Sequence, residues 1–453
     1  MSLFSVAETL CPSPLRPFLD RVKTSSIGRR IASGMFWSVM GNAIGKGLTF
    51  VAMVLVARLL SKEAFGEFGL VKSTAKTFVT FSAFGMGLTV TKYTAELLQK
   101  DKNRVGGVIG LSYLFTLSAS LLVAVVFYLV APWLCETQLQ SPHLTIAMKL
   151  GAVMLFLTTI MSTQICIMQG FQDFRGLATV SIVDGLMMVP LYVVGAWYGG
   201  VLGVMICALT VLGLNITIGS TVIYRNTKRH RIRYSIQQSC KELPTLWQSN
   251  LPVFLSGIIY ATGLWLSQLM LTSASNGRAE LGLYHVVLNY QLIMLFLAQQ
   301  IQSVFLPMLS ELNGREDERQ YWHVVKKGAM LNFAVSTTCA VPFIIFPEFF
   351  LGLSGAEYMS GWPALVIASL VACITVLPNT CYQILISRGW NWIQAIISCI
   401  CIMIYLAIVR CFLFVMDGAS ALLFAYFFFA ISYSTIVASV IAADRIFKRR
   451  SLP

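Results

Sequence analysis

The chain has 453 residues, 57% of them hydrophobic and only 11% charged, with a mean hydropathy of +0.75 and a formal net charge of +14. Soluble domains carry about 25% charged residues, so this composition cannot cover a water-facing surface and excludes a soluble globule. Membrane topology accounts for the surplus of cations, which removes the need for a nucleic-acid partner.

Residues 1–30 are polar and basic, contain Pro12, Pro14 and Pro17, and lack an apolar stretch followed by a small-residue cleavage site. They read as a cytoplasmic tail. Apolar runs then follow at roughly 31–57, 66–91, 105–130, 146–169, 177–197, 200–223, 249–272, 281–307, 327–347, 362–386, 392–415 and 419–442. Each is long enough for the ~20 residues a bilayer-crossing helix needs. Lipid offers no partner to an open backbone amide, so helices are the expected form. The expected fold is therefore an all-α integral membrane protein with about twelve transmembrane helices. A first six-helix bundle over 31–223 would be joined to a second over 249–442 by a basic cytoplasmic linker, 224–248, lying on anionic headgroups. A basic cytoplasmic tail, 443–453, would end the chain.

Orientation follows from Lys and Arg in the short loops. They crowd the N-terminal tail, the loops after spans two, four, six, eight and ten, and the end of the chain, whereas the opposite side carries only Arg58, Lys62 and Arg278. Both termini are thus expected in the cytoplasm.

Taken in order, the spans hold a few polar groups that lipid should reject. Span one carries a stripe of Ser38, Asn42, Lys46 and Thr49, and Arg58 ends it. Its run Gly41-Asn42-Ala43-Ile44-Gly45-Lys46-Gly47 is one residue short of a phosphate-binding loop, lacks the final Ser or Thr, and lies in an apolar helix. Gly41 and Gly45 are better read as a close helix-packing face. Span two carries Lys72, Lys76 and Thr80 on one face. Lys149 and Arg410 lie near the outer ends of their spans, where they can snorkel to the headgroups. Asp184 in span five is the one clear intramembrane carboxylate and the candidate for coupling to a proton or sodium ion, with a helix-to-helix salt bridge as the alternative. Span six holds a glycosylation sequon, Asn215-Ile216-Thr217, where no transferase could reach it. Span seven offers Tyr260, Trp265 and Gln268. Span eight offers His285 and Asn289 on one face, with Gln299 and Ser303 further on.

Lys46 and Lys76 sit too deep to snorkel, and one carboxylate cannot neutralise three lysines. The expected result is an anion-attracting cavity in the first half, suited to a phosphate or pyrophosphate. The neutral hydrogen-bonding and stacking groups of the second half suit sugar, although polar residues also hold membrane helices together. The eleven cysteines lie mainly inside apolar runs. Cys399 and Cys401, two apart, should point to different helix faces, so neither a metal site nor a disulfide framework is expected. Paired carboxylates, zinc-ligand spacing and a nucleophile elbow are all missing. A non-enzymatic secondary transporter without a cofactor fits better than an ATP-driven pump.

A weak internal repeat divides the chain. Phe65-Gly66-Glu67-Phe68 resembles Leu281-Gly282-Leu283-Tyr284, Glu96-Leu97 resembles Glu311-Leu312, and the loop at Gln169–Phe174 resembles that at Ser387–Trp392. With six spans per half, the halves share one orientation and leave a cleft between them.

The stretch from Val56 to Gly69, with its Arg-x-Leu and Glu-x-Phe-Gly pattern at Arg58 and Glu67, resembles the polysaccharide-transporter branch of the multidrug/oligosaccharidyl-lipid/polysaccharide (MOP) exporter superfamily, the Wzx-type O-antigen and capsule flippases. Tyr93-Thr94-Ala95-Glu96, Gln169-Gly170 and the run Phe305–Glu311 are similar to that family too. The resemblance covers about residues 28–445. It implies two six-helix bundles alternating around a central cavity, and an undecaprenyl-pyrophosphate-linked oligosaccharide repeat unit as substrate. A polysaccharide polymerase and a chain-length regulator are the protein partners such a role implies. Lys46, Lys72, Lys76, Asn42, Arg58, His285 and Asn289 are the expected substrate-binding residues. The alternatives are a lipid II flippase and a drug or organic-cation antiporter of the same superfamily; the antiporter would need a carboxylate-rich cavity.

Overall fold

The computed structural model describes residues 26–83, 86–100, 102–232, 243–274, 276–314 and 318–450, so most of the 1–30 tail, part of the 224–248 linker and the last residues of the chain lie outside it. The described residues are helical almost throughout. In chain order they form α1 (Ser26–Leu59), α2 (Lys62–Ala83), α3 (Met86–Lys100), α4 (Lys102–Trp133), α5 (Thr145–Gly170), α6 (Phe174–His230), α7 (Leu243–Thr272), α8 (Gly277–Gly314), α9 (Glu318–Ile345), the short α10 (Pro347–Ser354), α11 (Trp362–Ile374), α12 (Val376–Ser387), α13 (Asn391–Phe412) and α14 (Gly418–Arg450).

The 57 residues of α6 would make a rod of about 85 Å if straight, nearly three times the thickness of a hydrocarbon core. The run is instead a hairpin that reverses at Gly200, whose φ of 53° and ψ of −136° suit only glycine. The two arms, 174–199 and 201–230, touch where a Cβ on Gly195 would lie 2.6 Å from the Gly203 carbonyl oxygen. Hydrogen bonds from Asn215 to Asp184 and from Asn226 to Asp173 join the arms further down. Span ten is divided into α11 and α12 at Thr375; α2 and α3 lie on either side of residues 84–85, which are outside the described residues. Among the described residues ten helices are long and apolar enough to cross a membrane, and one of them, α6, is a hairpin that supplies two crossings.

The helices pack in two groups. In the first, α1 and α5 lie along α6, α4 packs on α5, and α2 and α3 complete the bundle; in the second, α7 pairs with α13, α8 with α9, α11 and α12, and α14 with α11 and α13. Gly41 and Gly45 of α1 meet Ala178 and Ser181 of α6 so closely that a side chain at either would clash. That is the packing face expected of them. Cys399 is exposed and Cys401 buried, on different faces of α13.

The repeat is visible in the coordinates. The starts of corresponding helices are 217 residues apart: Thr145 and Trp362, Phe174 and Asn391. The turn before each of the last pair is built alike. Phe171, Gln172 and Asp173 donate to the carbonyls of Ile167, Gln169 and Met168, and Arg388, Gly389 and Trp390 repeat the pattern to Ile384, Ile386 and Leu385. Gln172 and Gly389 both take positive φ, 56° and 75°.

Candidate substrate-binding cavity

A cavity of about 560 Å³ lies between the two bundles. One wall is α2, which contributes Phe65, Phe68, Gly69, Lys72, Ser73, Lys76, Thr77 and Thr80 at the helical spacing of a single face. The facing walls are α7, with Gly257, Tyr260, Trp265 and Gln268, and α8, with Tyr284, His285, Asn289 and Gln291. Thr375, between α11 and α12, and Tyr426 of α14 close the far side. With a rise of about 1.5 Å per residue, Lys72 and Lys76 lie about 15 and 21 Å along α2 from Lys62, well inside the membrane.

Four of the expected binding residues, Lys72, Lys76, His285 and Asn289, are thus brought into one cavity by helices from both halves. Three are not. Lys46 lies on an exposed part of α1 outside the lining, where its Nζ donates to Gln299 Oε1 at 3.3 Å and sits 5.5 Å from the Phe296 ring, at the seam with α8. The close packing of Gly41 and Gly45 against α6 sets this rotation of α1 and leaves Asn42 half-buried beside the same interface. Arg58 is exposed at the outer end of α1. Ser38 falls among the side chains not described.

Lys72 is half-buried, with its Nζ 5.9 Å from the Phe68 ring, and it lies within electrostatic reach of Lys76, Asp184 and His285. Asp184 lies outside the lining and accepts a hydrogen bond from Asn215 Nδ2 at 2.5 Å. Among the described residues no carboxylate comes within 4.0 Å of Lys46, Lys72 or Lys76, and none lines the cavity. The field inside is therefore positive, with Asp184 as a partial counterweight beyond Lys72.

The second-bundle walls are held in place by hydrogen bonds that also fix what they present. Trp265 Nε1 donates to Thr74 Oγ1 at 2.9 Å, and Gln268 Oε1 accepts from Ser73 Oγ at 2.6 Å. Both bonds cross from α7 to α2, the helix that carries the lysines. The Tyr260 and Tyr426 hydroxyls pair at 2.8 Å, and Tyr426 stacks on Phe429 at 5.4 Å. His285 Nε2 is buried without a hydrogen-bond partner. Its ring packs on Gly69, where no Cβ could be accommodated.

Tyr284, Gln291, Thr375 and Tyr426 were not singled out from the sequence. Tyr426 lies in a run of aromatics, Tyr426-Phe427-Phe428-Phe429, with no polar stripe to mark its face.

Residues 31–313 match the family described as polysaccharide biosynthesis protein. The chain is 22% identical over 377 residues to the EPS I polysaccharide export inner membrane protein EpsE of Ralstonia solanacearum, covering 81% of this chain and 84% of that protein. Among solved structures it superposes on the inward-facing conformation of a multidrug resistance MATE family transporter of the MOP superfamily with a TM-score of 0.72 at 13% identity, covering 87% of this chain and 94% of the other. The outward-facing conformation of a MATE family transporter gives 0.66 at 12% identity, over 90% and 96% of the two chains. The two-bundle architecture is thus that of the MOP superfamily. A match over well more than half of its length places this chain in the polysaccharide biosynthesis protein family of membrane transporters.

Proposed function

We propose that the protein is a flippase that moves a lipid-linked oligosaccharide, joined to its polyprenyl chain through a diphosphate, across the bacterial inner membrane by alternating access. The observation that carries this reading is the cavity's charge: Lys72 and Lys76 line it and no described carboxylate does. An organic cation would find no counter-charge there, whereas a diphosphate gains charge-assisted hydrogen bonds in a partly desolvated site. The relative named as a polysaccharide export inner membrane protein supports both the substrate class and the location.

The walls divide the work. Lys72 and Lys76 of the first bundle take the diphosphate. Tyr260, Tyr284, Asn289, Gln268 and Trp265 of the second offer the aromatic faces and amide donors that sugars need. The lipid tail stays in the bilayer, and Lys46, at the seam between α1 and α8, is the cation a headgroup entering sideways meets before the cavity. Arg58 serves at the outer end as a headgroup contact. Asp184, beside Lys72, is the group proposed to couple an ion. No chemistry is performed on the substrate, so the role is non-enzymatic. The polymerase and the chain-length regulator would act on the delivered unit outside the membrane.

The test is deletion of the gene in a strain that makes its polysaccharide. Sugar linked to the polyprenyl diphosphate should accumulate on the cytoplasmic leaflet while surface polymer disappears, and the intact gene should reverse both. Normal surface polymer in the deletion strain, or resistance to cationic drugs as the sole phenotype of overexpression, contradicts the proposal.

A further inference from the structure

The outer end of the cavity is closed by a contact that uses the internal repeat itself. A Cβ on Gly66 of α2 would meet the Arg278 carbonyl oxygen and lie 2.7 Å from the Gly282 nitrogen; one on Gly282 of α8 would meet the Lys62 carbonyl oxygen and lie 3.3 Å from the Gly66 nitrogen. Gly66 and Gly282 are 216 residues apart, as are Lys62 and Arg278, and as are Gly69 and His285, which pack on each other. Each position therefore touches the repeat counterpart of its own neighbour. This reciprocity places the pseudo-two-fold axis of the molecule between Gly66 and Gly282, where two helix backbones meet with no side chain between them.

Two ion pairs flank the crossing, and both join the bundles. Lys62 Nζ lies 3.7 Å from Glu280 Oε1, and Arg278 Nη1 lies 3.9 Å from Glu67 Oε1. The two cations are repeat counterparts, and each faces an acid on the other bundle. Supporting bonds fix the acids. His143 Nε2 lies 2.8 Å from Glu67 Oε1, and Glu280 Oε2 accepts from the Ala419 backbone nitrogen at 3.2 Å, capping α14. Arg278 also donates to Ser141 Oγ of the first bundle. The Lys62–Glu280 pair is shielded on both sides, with side chains 18% and 19% exposed, and is screened less than a surface pair, whereas Arg278, 40% exposed, faces a Glu67 that is 13% exposed. Directly beneath lie Gly69, His285 and Lys72, so the seal is also the roof of the cavity.

We infer that the Gly66–Gly282 crossing with the Lys62–Glu280 and Glu67–Arg278 pairs is a latch that holds the carrier shut toward the outside, and that outward opening requires both pairs to part. Both pairs join the same two bundles beside one crossing, so rocking the bundles apart at this end breaks them together and the latch acts as one two-state element. This goes beyond the substrate assignment and does not depend on it.

The test measures access from outside. A Thr80→Cys reporter, placed on the cavity wall, is labelled in right-side-out membrane vesicles with a membrane-impermeant maleimide, and the labelling of the same background without the reporter is subtracted. Lys62→Gln and Glu280→Gln should each raise the labelling rate about two- to fivefold, the range of one partly shielded pair. Gln at 280 can still accept from Ala419, so the cap survives. Because the two residues act as one pair, the Lys62→Gln/Glu280→Gln double variant should label no faster than the faster single. Gly282→Ala, which forces the backbones apart, should raise labelling at least as much. Rates equal to the parent in both single variants, or effects that multiply in the double, overturn the latch.

Discussion

Replacing Lys76 by Ala is the perturbation whose effect the geometry defines best. Lys76 faces the cavity, and no described carboxylate comes within ion-pair distance of it, so its removal leaves no orphaned partner in the protein. What is lost is one charge-assisted bond to the occupant, about 1.5–3 kcal/mol, or about a ten- to 150-fold loss of apparent affinity for the diphosphate-linked substrate. Lys72→Ala differs because Lys72 lies within reach of Asp184. Its loss should cost a similar factor in transport and also lower the melting temperature, since Asp184 then keeps only its bond from Asn215. The assay compares surface polymer and inner-leaflet lipid-linked sugar at matched protein levels, with substrate supply limited, beside thermal unfolding of the purified variants in detergent. Lys76→Ala is expected to export poorly and melt like the parent. Full export by both variants, or equal destabilisation by both, refutes the assignment of Lys76 as a substrate contact.

Further outcomes follow from other contacts. Gly45→Ala places a methyl group against Ser181 and should destabilise the α1–α6 interface by about 1–3 kcal/mol, read as a lower melting temperature; an unchanged melt would mean that α1 packs elsewhere. Trp265→Phe removes the bond to Thr74, worth about 0.5–1.5 kcal/mol, and Thr74→Val should cost less in that background than in the parent, since only its bond to the Leu70 carbonyl is then left to lose, a non-additivity that a double-mutant cycle measures. Asp184→Asn should remove the dependence of transport on an imposed proton or sodium gradient in vesicles. Retained gradient dependence leaves Asp184 only its bond with Asn215. Lys46→Ala, outside the lining, should lower export less than Lys76→Ala at equal protein level.

Much of the fold was legible because lipid imposes a simple rule: a span must be long, apolar and helical. The twelve runs, the charge asymmetry and the faint repeat all came from that rule. It says nothing of where a helix breaks, and so the division of span ten at Thr375 was invisible. The boundary between the runs 177–197 and 200–223 falls at the reversal, because two apolar runs met there with too little chain between them for anything but a turn; that Gly200 itself makes it was not legible. In the site, Lys72 and Lys76 were legible as a misplaced stripe, and His285 and Asn289 as another. Lys46 carried the same signal yet lies outside the cavity, because depth is readable from sequence while helix rotation is set by partners, here the contacts of Gly41 and Gly45 with α6. Tyr426 and Tyr284 gave no signal, since an aromatic ring in an apolar span looks the same whether it faces lipid, core or cavity.

Translocation in reconstituted vesicles addresses the central claim most directly. Protein is placed in proteoliposomes with a fluorescent polyprenyl-diphosphate oligosaccharide, and the fraction that becomes accessible to an external quencher is followed over time. The wild-type chain should move the diphosphate-linked lipid, and Lys72→Gln/Lys76→Gln should move it no faster than empty vesicles while remaining folded. Equal rates for the wild type and the double variant, or equal transport of an uncharged polyprenyl glycoside, would contradict a cavity built around the phosphates.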